Sequence, residues 1–227
     1  MKLVLFDLDN TLLAGDSDYA WGQFLIEQGV LDRQTHEGKN REFYRQYQQG
    51  TLNIDDFLAY QLQALAGRPP EILHNWHTQF MQRHIAPMIT PAARKLVTGA
   101  LRDADLVAIV TATNSFVTRP IARAFGIEHL IATEPEMHEG RYTGRVHGTP
   151  SFREGKIARL DQWLAEQGKP FDRFDETHFY SDSHNDLPLL GRVSHPVAVN
   201  PDPLLLAHAH AHGWPILALH PTERHEH

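Results

Sequence analysis

The chain has 227 residues, 41% hydrophobic and 22% charged, with a formal charge of −7 and no cysteine. No apolar run approaches the ~18 residues of a membrane span, the missing thiols exclude disulfides and cysteine-ligated metals, and the acidic balance speaks against polyanion binding. Neither nucleic acid nor membrane is expected as a partner.

After the first methionine, "KLVLF" reads as a buried strand that ends in "DLDNT". Its apolar run breaks at Asp7, too early for an export signal, so the cytoplasm is the expected location. From Ser17 to about Ala86 no comparable strand follows, only helical periodicity punctuated by Gly29, "QQGTLN" and "AGRPP". Ser17 is expected to cap a helix whose Tyr19, Trp21, Phe24 and Leu25 form an apolar face, and the prolines of "PPEILHNWHTQFM" open another. Thr90 should cap a helix over "PAARKLVTGALRDA". Strands and helices then alternate. "DLVAIVTA" is a strand, "SFVTRPIARAFG" a helix, "HLIAT" a strand, and "EMHEGRYTGRVHG" a hairpin turned at Glu139 and Gly140. The helix "FREGKIARLDQWLAEQG", the strand "THFYSD", the short helix "NDLPLLGRV", the strand "HPVAVN", the helix "DPLLLAHAHAHG" and a last strand "WPILAL" complete the order. This alternation predicts an α/β fold, a doubly wound parallel sheet with helices on both faces. Residues 1–15 and 88–227 would form the core, and residues 16–87 a small helical cap domain inserted after the first strand. "AHAHAH" reads as an exposed polar face, and "HPTERHEH" as a frayed tail.

In an open parallel sheet the ligand crevice lies at the carboxyl ends of the strands. "DLDNT", "VTATN" and "YSDSHND" all end strands, so they meet at one rim, joined by Lys156 near the start of its helix. Asp7 is an anion at neutral pH and needs no base to act as a nucleophile. Its difficulty is repulsion: an anion brought to about 4 Å from a phosphoryl oxygen pays roughly 4 kcal/mol per like-charge pair at an effective dielectric of ~20, about three decades of rate. A hard cation among the oxygens of Asp7, the carbonyl near Asp9 and Asp182 would cancel it, and Mg²⁺ is the natural candidate. Lys156 brings a second positive charge. The Thr111 hydroxyl and the Asn114 amide are placed to donate hydrogen bonds to equatorial oxygens, and Asp9 to protonate the leaving oxygen and later deprotonate the attacking water. Neither acidic stretch suits an EF-hand, because the sixth position after Asp7 or Asp182 is Leu12 or Leu187 where the calcium loop needs glycine.

With these residues the chain resembles the haloacid dehalogenase-like phosphohydrolases over about its full length. The aspartate-x-aspartate-x-threonine motif of that family matches "DLDNT", its Ser/Thr motif Thr111, its lysine motif Lys156 in "EGKIARL", and its acidic motif "SDSHND". The resemblance implies that Asp7 is the nucleophile, Asp9 the acid/base and a magnesium ligand, Thr11 a support in the first loop, Asp182 a metal ligand, and Asp186 with Asn185 its buttress. The insertion looks like the small cap of the phosphoserine phosphatase-like branch. Where phosphoserine phosphatases carry a glutamate this chain has Asp16, and where they carry a glycine pair it has Ala112 and Thr113. Asp16 would hold a substrate amine and Arg45 a carboxylate. The expected function is that of a Mg²⁺-dependent phosphatase of a small phosphorylated metabolite, an amino-acid or amino-alcohol phosphate such as phosphoserine or histidinol phosphate, acting through an aspartyl-phosphate. A phosphotransferase or mutase would use the same residues, and a non-catalytic binding module would lack one of them.

Overall fold

The computed structural model describes residues 1–220. Its elements in chain order are β1 (Lys2–Phe6), α1 (Ser17–Glu27), α2 (Arg33–Gln48), α3 (Ile54–Leu62), α4 (Pro70–Phe80), α5 (Ala86–Met88), α6 (Pro91–Asp103), β2 (Leu106–Asn114), α7 (Ser115–Ala124), β3 (His129–His138) and β4 (Arg141–His147). These are followed by α8 (Glu154–Glu166), β5 (Glu176–Ser181), α9 (Leu187–Leu190), β6 (His195–Val199), α10 (Pro203–His212) and β7 (Ile216–Leu217). The strands form one sheet in the order β4-β3-β2-β1-β5-β6-β7. All neighbours are parallel except β3 and β4, the hairpin whose turn residues Glu139 and Gly140 both have positive φ.

β1 sits at the centre, with Leu3 in register with Leu106 on one side and with Thr177 on the other. A central parallel strand is covered on both faces, which is why its sequence is a continuous apolar run. One face packs Val4, Phe6 and Ile109 against Trp21 and Phe24 of α1, Phe80 of α4 and Val97 of α6. The other packs Leu3, Leu5 and Phe179 against Leu160 and Leu164 of α8 and Leu205 of α10. Helix α2 approaches α1 at Gly22, where a Cβ would lie 2.1 Å from His36 Nε2. The bare glycine admits the His36 ring, which hydrogen-bonds Tyr60 and Asn40 at 3.0 Å each.

Three expectations need correction. Asp16, not Ser17, caps α1: its Oδ1 accepts from the Asp18 and Tyr19 N–H groups at 2.8 and 2.9 Å, and a carboxylate there gains from the helix dipole as well. β3 runs to His138, beyond "HLIAT", because β4 supplies an antiparallel partner for its outer half. His220, read as the start of a frayed tail, is buried, its Nε2–H donating to the Thr11 carbonyl at 2.8 Å. The rest of that tail lies outside the described residues. On α10, His210 and His212 are exposed, and the His208 and His212 rings stack beside Trp214. No helix among the described residues is long and apolar enough to cross a membrane.

Candidate active site

Because β1, β2 and β5 run parallel, their carboxyl ends share one rim, and the loop leaving β1 is wound there. The Asp7 N–H still donates to Tyr180 O as a strand residue would, and the chain then turns back, with Leu12 and Leu13 N–H both donating to Leu8 O. Asn10 takes a left-handed φ of 57° inside this turn, a conformation asparagine tolerates better than most residues. The outcome is that Asp7, only 7% exposed, is aimed across the rim.

Lys156, on the first turn of α8 and 3% exposed, reaches it. Its Nζ donates to Asp7 Oδ1 and to Asp186 Oδ2 at 2.7 Å each, and Ser181 Oγ donates to the same Asp186 oxygen. The Thr11 hydroxyl lies 3.1 Å from Asp7 Oδ2 and 3.2 Å from Asp182 Oδ1, and accepts from the Asp182 N–H at 3.0 Å. Three chain segments far apart in sequence are therefore locked together. Asp9 is held on its two oxygens, by the Ser17 N–H at 2.7 Å and by the Thr113 hydroxyl at 2.8 Å.

The other expected residues are placed less uniformly. Thr111 lines the cavity, its hydroxyl accepting from the Thr113 N–H. Asn114 is turned away to cap α7, accepting from the Val117 N–H at 3.2 Å, and is not among the described residues that line the cavity. Arg45 is exposed on α2 and does not line it either. Asp16 lines it while one of its oxygens serves as the helix cap. Asn185 lines it too, and accepts from Arg153 Nε at 3.0 Å. Arg153 also donates to Gly50 O between α2 and α3, and it adopts φ 51°, strained for a residue with a side chain. Sequence reasoning missed Thr113, Asp18 and Tyr47. Of these only Thr113 had a signal, its place two residues after Thr111 at the end of a strand.

The charges are unbalanced. Among the described residues lining the cavity, Asp7, Asp9, Asp182 and Asp186 share it with one ammonium, that of Lys156. Burial pushes Asp7 up to about 7, against the pull of Lys156, with Asp186 and Asp9 adding to the rise. Burial, with Asp16 beside it, pushes Asp9 up to about 6 although Ser17 and Thr113 oppose this. Burial and then the charges of Asp7 and Asp186 raise Asp182 well above the usual carboxylate range. Burial works against the Lys156 ammonium too, but Asp186 and Asp7 outweigh it and hold its pKa above the ordinary value. An all-oxygen donor set with surplus negative charge fits a hard divalent cation, and Asp7 and Asp182, bridged by one hydroxyl, are where it fits.

Above this floor lies a cavity of about 150 Å³. Its upper wall comes from α2 and α3, including Phe43, Tyr44, Tyr47 and Phe57. Tyr47 OH donates to Ser183 Oγ at 2.6 Å, tying that wall to the acidic loop.

The model of the haloacid dehalogenase-like hydrolases matches residues 4–191. A histidinol-phosphatase of Neisseria meningitidis is 49% identical over 95% of this chain and 98% of its own length. Phosphoserine phosphatase SerB1 of Mycobacterium tuberculosis is 31% identical over 93% of this chain and 68% of its own. Among solved structures, a protein with unknown function from Bordetella pertussis Tohama I superposes with a TM-score of 0.91 at 50% identity, covering 96% of this chain and 99% of that one. A substrate-bound phosphoserine phosphatase superposes at 0.66 and 20% identity, covering 95% and 92%, a likeness of fold.

Proposed function

Since the chain belongs to the haloacid dehalogenase-like hydrolase family and is a phosphatase of it, we propose that it hydrolyses a small phosphate monoester through a phosphoryl group carried on Asp7, with Mg²⁺ as cofactor. The observation that carries this reading is the double engagement of Lys156 by Asp7 and Asp186, with Asp182 held beside Asp7 through Thr11. The helices of residues 16–87 act as a cap over the site, a role supported by the contribution of α2 and α3 to the cavity wall.

In this reading Asp7 Oδ attacks phosphorus in line with the leaving alkoxide. Asp9 gives its proton to that oxygen, and the alcohol departs. A water then attacks the same phosphorus, Asp9 takes its proton, and phosphate and free Asp7 are regenerated. A raised Asp9 suits both duties, since a group titrating near 6 is available as acid and as base close to neutral pH. Lys156 keeps Asp7 pointed across the rim and offsets the charge of the incoming phosphoryl group. Asp7, the Asp9 carbonyl and Asp182 would hold Mg²⁺, which supplies positive charge against the phosphoryl oxygens when bound.

The substrate reading leans toward the amino-alcohol side, because the N. meningitidis relative is named a histidinol-phosphatase and matches over nearly its whole length. The test is phosphate release from p-nitrophenyl phosphate, histidinol phosphate and phosphoserine, with and without Mg²⁺, in the wild type and in Asp7→Asn. Mg²⁺-dependent turnover that vanishes in Asp7→Asn is expected. Undiminished turnover in that variant would remove Asp7 as the nucleophile.

A further inference from the structure

The cavity holds one more carboxylate than the proposed chemistry employs. Asp18, in the first turn of α1, lines it and is 6% exposed. Its partner is neutral: Gln61 Nε2 of α3 donates to Oδ2 at 3.2 Å. The positive end of α1 does not serve it, because Asp16 already takes the Asp18 and Tyr19 N–H groups. Among the described residues lining the cavity, Lys156 is the one lysine or arginine, and Asp7 and Asp186 already engage it. Burying a carboxylate without a cation is costly, and α1 keeps one there all the same.

The rest of the wall narrows what would offset it. Phe43 and Phe57, edge to face at 5.3 Å, and Tyr44 give an apolar, π-rich surface beside Asp16 and Asp18. A substrate carboxylate entering here would meet acids and no free cation. An ammonium or a cationic ring would meet a carboxylate and aromatic faces, both attractive to it. Asn40 of α2 also lines the wall, held by His36, which itself fits only because residue 22 is glycine.

Resting on the phosphatase reading above, we propose that Asp18, oriented by Gln61, is a specificity-determining residue: it takes the cationic nitrogen of phosphate esters that carry an ammonium group and no carboxylate. The aromatic side chains cover the carbon skeleton of such an ester. Burial raises Asp18 well above the usual carboxylate range, with the charges of Asp16 and Asp9 adding to the rise, and a cation bound beside it would favour the ionised form.

The experiment compares wild type, Asp18→Asn and Asp18→Glu on histidinol phosphate, on phosphoserine and on p-nitrophenyl phosphate, which has neither ammonium nor carboxylate. Asn keeps an acceptor for Gln61 and removes only the charge. In Asp18→Asn, kcat/KM for histidinol phosphate should fall at least ~10-fold further than for p-nitrophenyl phosphate, mainly through KM, the gap to phosphoserine should narrow, and Asp18→Glu should recover part of the loss. Equal losses on the charged and neutral esters would overturn the proposal. Calorimetric binding of histidinol itself needs no turnover. Its affinity should drop ~10-fold or more in Asp18→Asn, and equal affinity in the two proteins, or no binding to wild type, would overturn the assignment. If wild type bound histidinol through Asp18 yet released phosphate from no ester, the phosphatase reading would fail and the cation subsite would stand.

Discussion

Thr113→Val removes one hydroxyl at nearly constant volume, and its consequence runs through Asp9. Thr113 Oγ1 donates to Asp9 Oδ2 at 2.8 Å, and the Ser17 N–H to Oδ1 at 2.7 Å. Both favour the ionised carboxylate, so they pull Asp9 down against the burial and the Asp16 charge that push it up to about 6. A hydrogen bond to a charged group contributes about 1.5–3 kcal/mol, and each ~1.4 kcal/mol corresponds to about one pH unit. Losing it should raise the Asp9 pKa by about one pH unit or somewhat more. In the proposed mechanism Asp9 must be ionised to take the proton from the water that attacks the phosphorylated Asp7, and p-nitrophenyl phosphate, whose p-nitrophenolate is a good leaving group, leaves that step exposed to measurement. The acidic limb of kcat should therefore move from near 6 toward 7 or above. Asp7 titrates close by, so the limb belongs to the carboxylate cluster, and the difference between variant and wild type isolates Asp9. Thr113→Ser restores the hydroxyl and should return the limb to its place. Stability moves in the same sense: Asp9, raised in the fold, contributes stability below its unfolded pKa of about 3.8 that is lost as pH rises through about 6, and the variant should lose more of it, so its deficit grows toward alkaline pH. A limb within a few tenths of a pH unit of wild type would refute the role given to Thr113.

Lys156→Met leaves two buried carboxylates without their cation and should destabilise the fold by ~3–5 kcal/mol in urea titration, lower kcat/KM by about three decades, and weaken beryllium fluoride binding; unaltered beryllium fluoride affinity would count against it. Asp9→Asn should let p-nitrophenyl phosphate load Asp7 and then stall, so intact-protein mass spectrometry should find the phosphorylated form accumulating, and an unchanged steady-state rate would refute the proton-transfer role. Asp7 and Asp9, raised to about 7 and about 6, contribute stability at low pH that disappears as pH rises through those values. The Tm of metal-free protein should thus fall between about pH 5 and pH 8, and Mg²⁺ should raise it more at the higher pH; a Tm at pH 8 indifferent to Mg²⁺ would remove the cation from the scheme.

The sheet and the floor of the site were legible because both follow from strong, short-range signals. Apolar runs such as "KLVLF" place the parallel strands, and parallel strands put their carboxyl ends on one rim. The shared rim brings Lys156 to Asp7 across 149 positions of sequence and Thr11 to Asp182 across 171. What escaped depends on the direction of single side chains. Asn114 and Asp16 are both good N-caps, and whether such a residue caps a helix or faces a ligand is decided by a local competition that composition does not reveal. Asp18 reads as an ordinary first-turn acid until α3 brings Gln61 over it. Arg45 faces solvent because α2 turns Tyr44 and Tyr47 to the cavity instead, a rotation that an almost uniformly polar helix does not announce.

The same hydrogen bonds that assemble the floor also tie it to its surroundings. Thr11 contributes its hydroxyl to Asp7 and Asp182 and its carbonyl to His220, so the end of the described chain grips the loop that carries Asp7, the proposed nucleophile. Asn200 sets that grip: its Oδ1 accepts from the Leu219 and His220 N–H groups and its Nδ2 donates to His220 O. On the acidic loop, Asp182 O accepts from the Asp202 N–H while Asp202 binds both the N–H and the ring of His184. Toward the helical insertion, Tyr47 donates to Ser183 and Arg153 spans Gly50 and Asn185. Moving α2 and α3 off the cavity must therefore break the Tyr47–Ser183 and Arg153–Gly50 bonds together, whereas the bonds among Asp7, Thr11, Lys156, Asp182 and Asp186 lie wholly within the core. The wall and the floor thus rest on separate sets of bonds, so displacing the wall would leave Asp7, the proposed nucleophile, in register with Lys156 and Asp182.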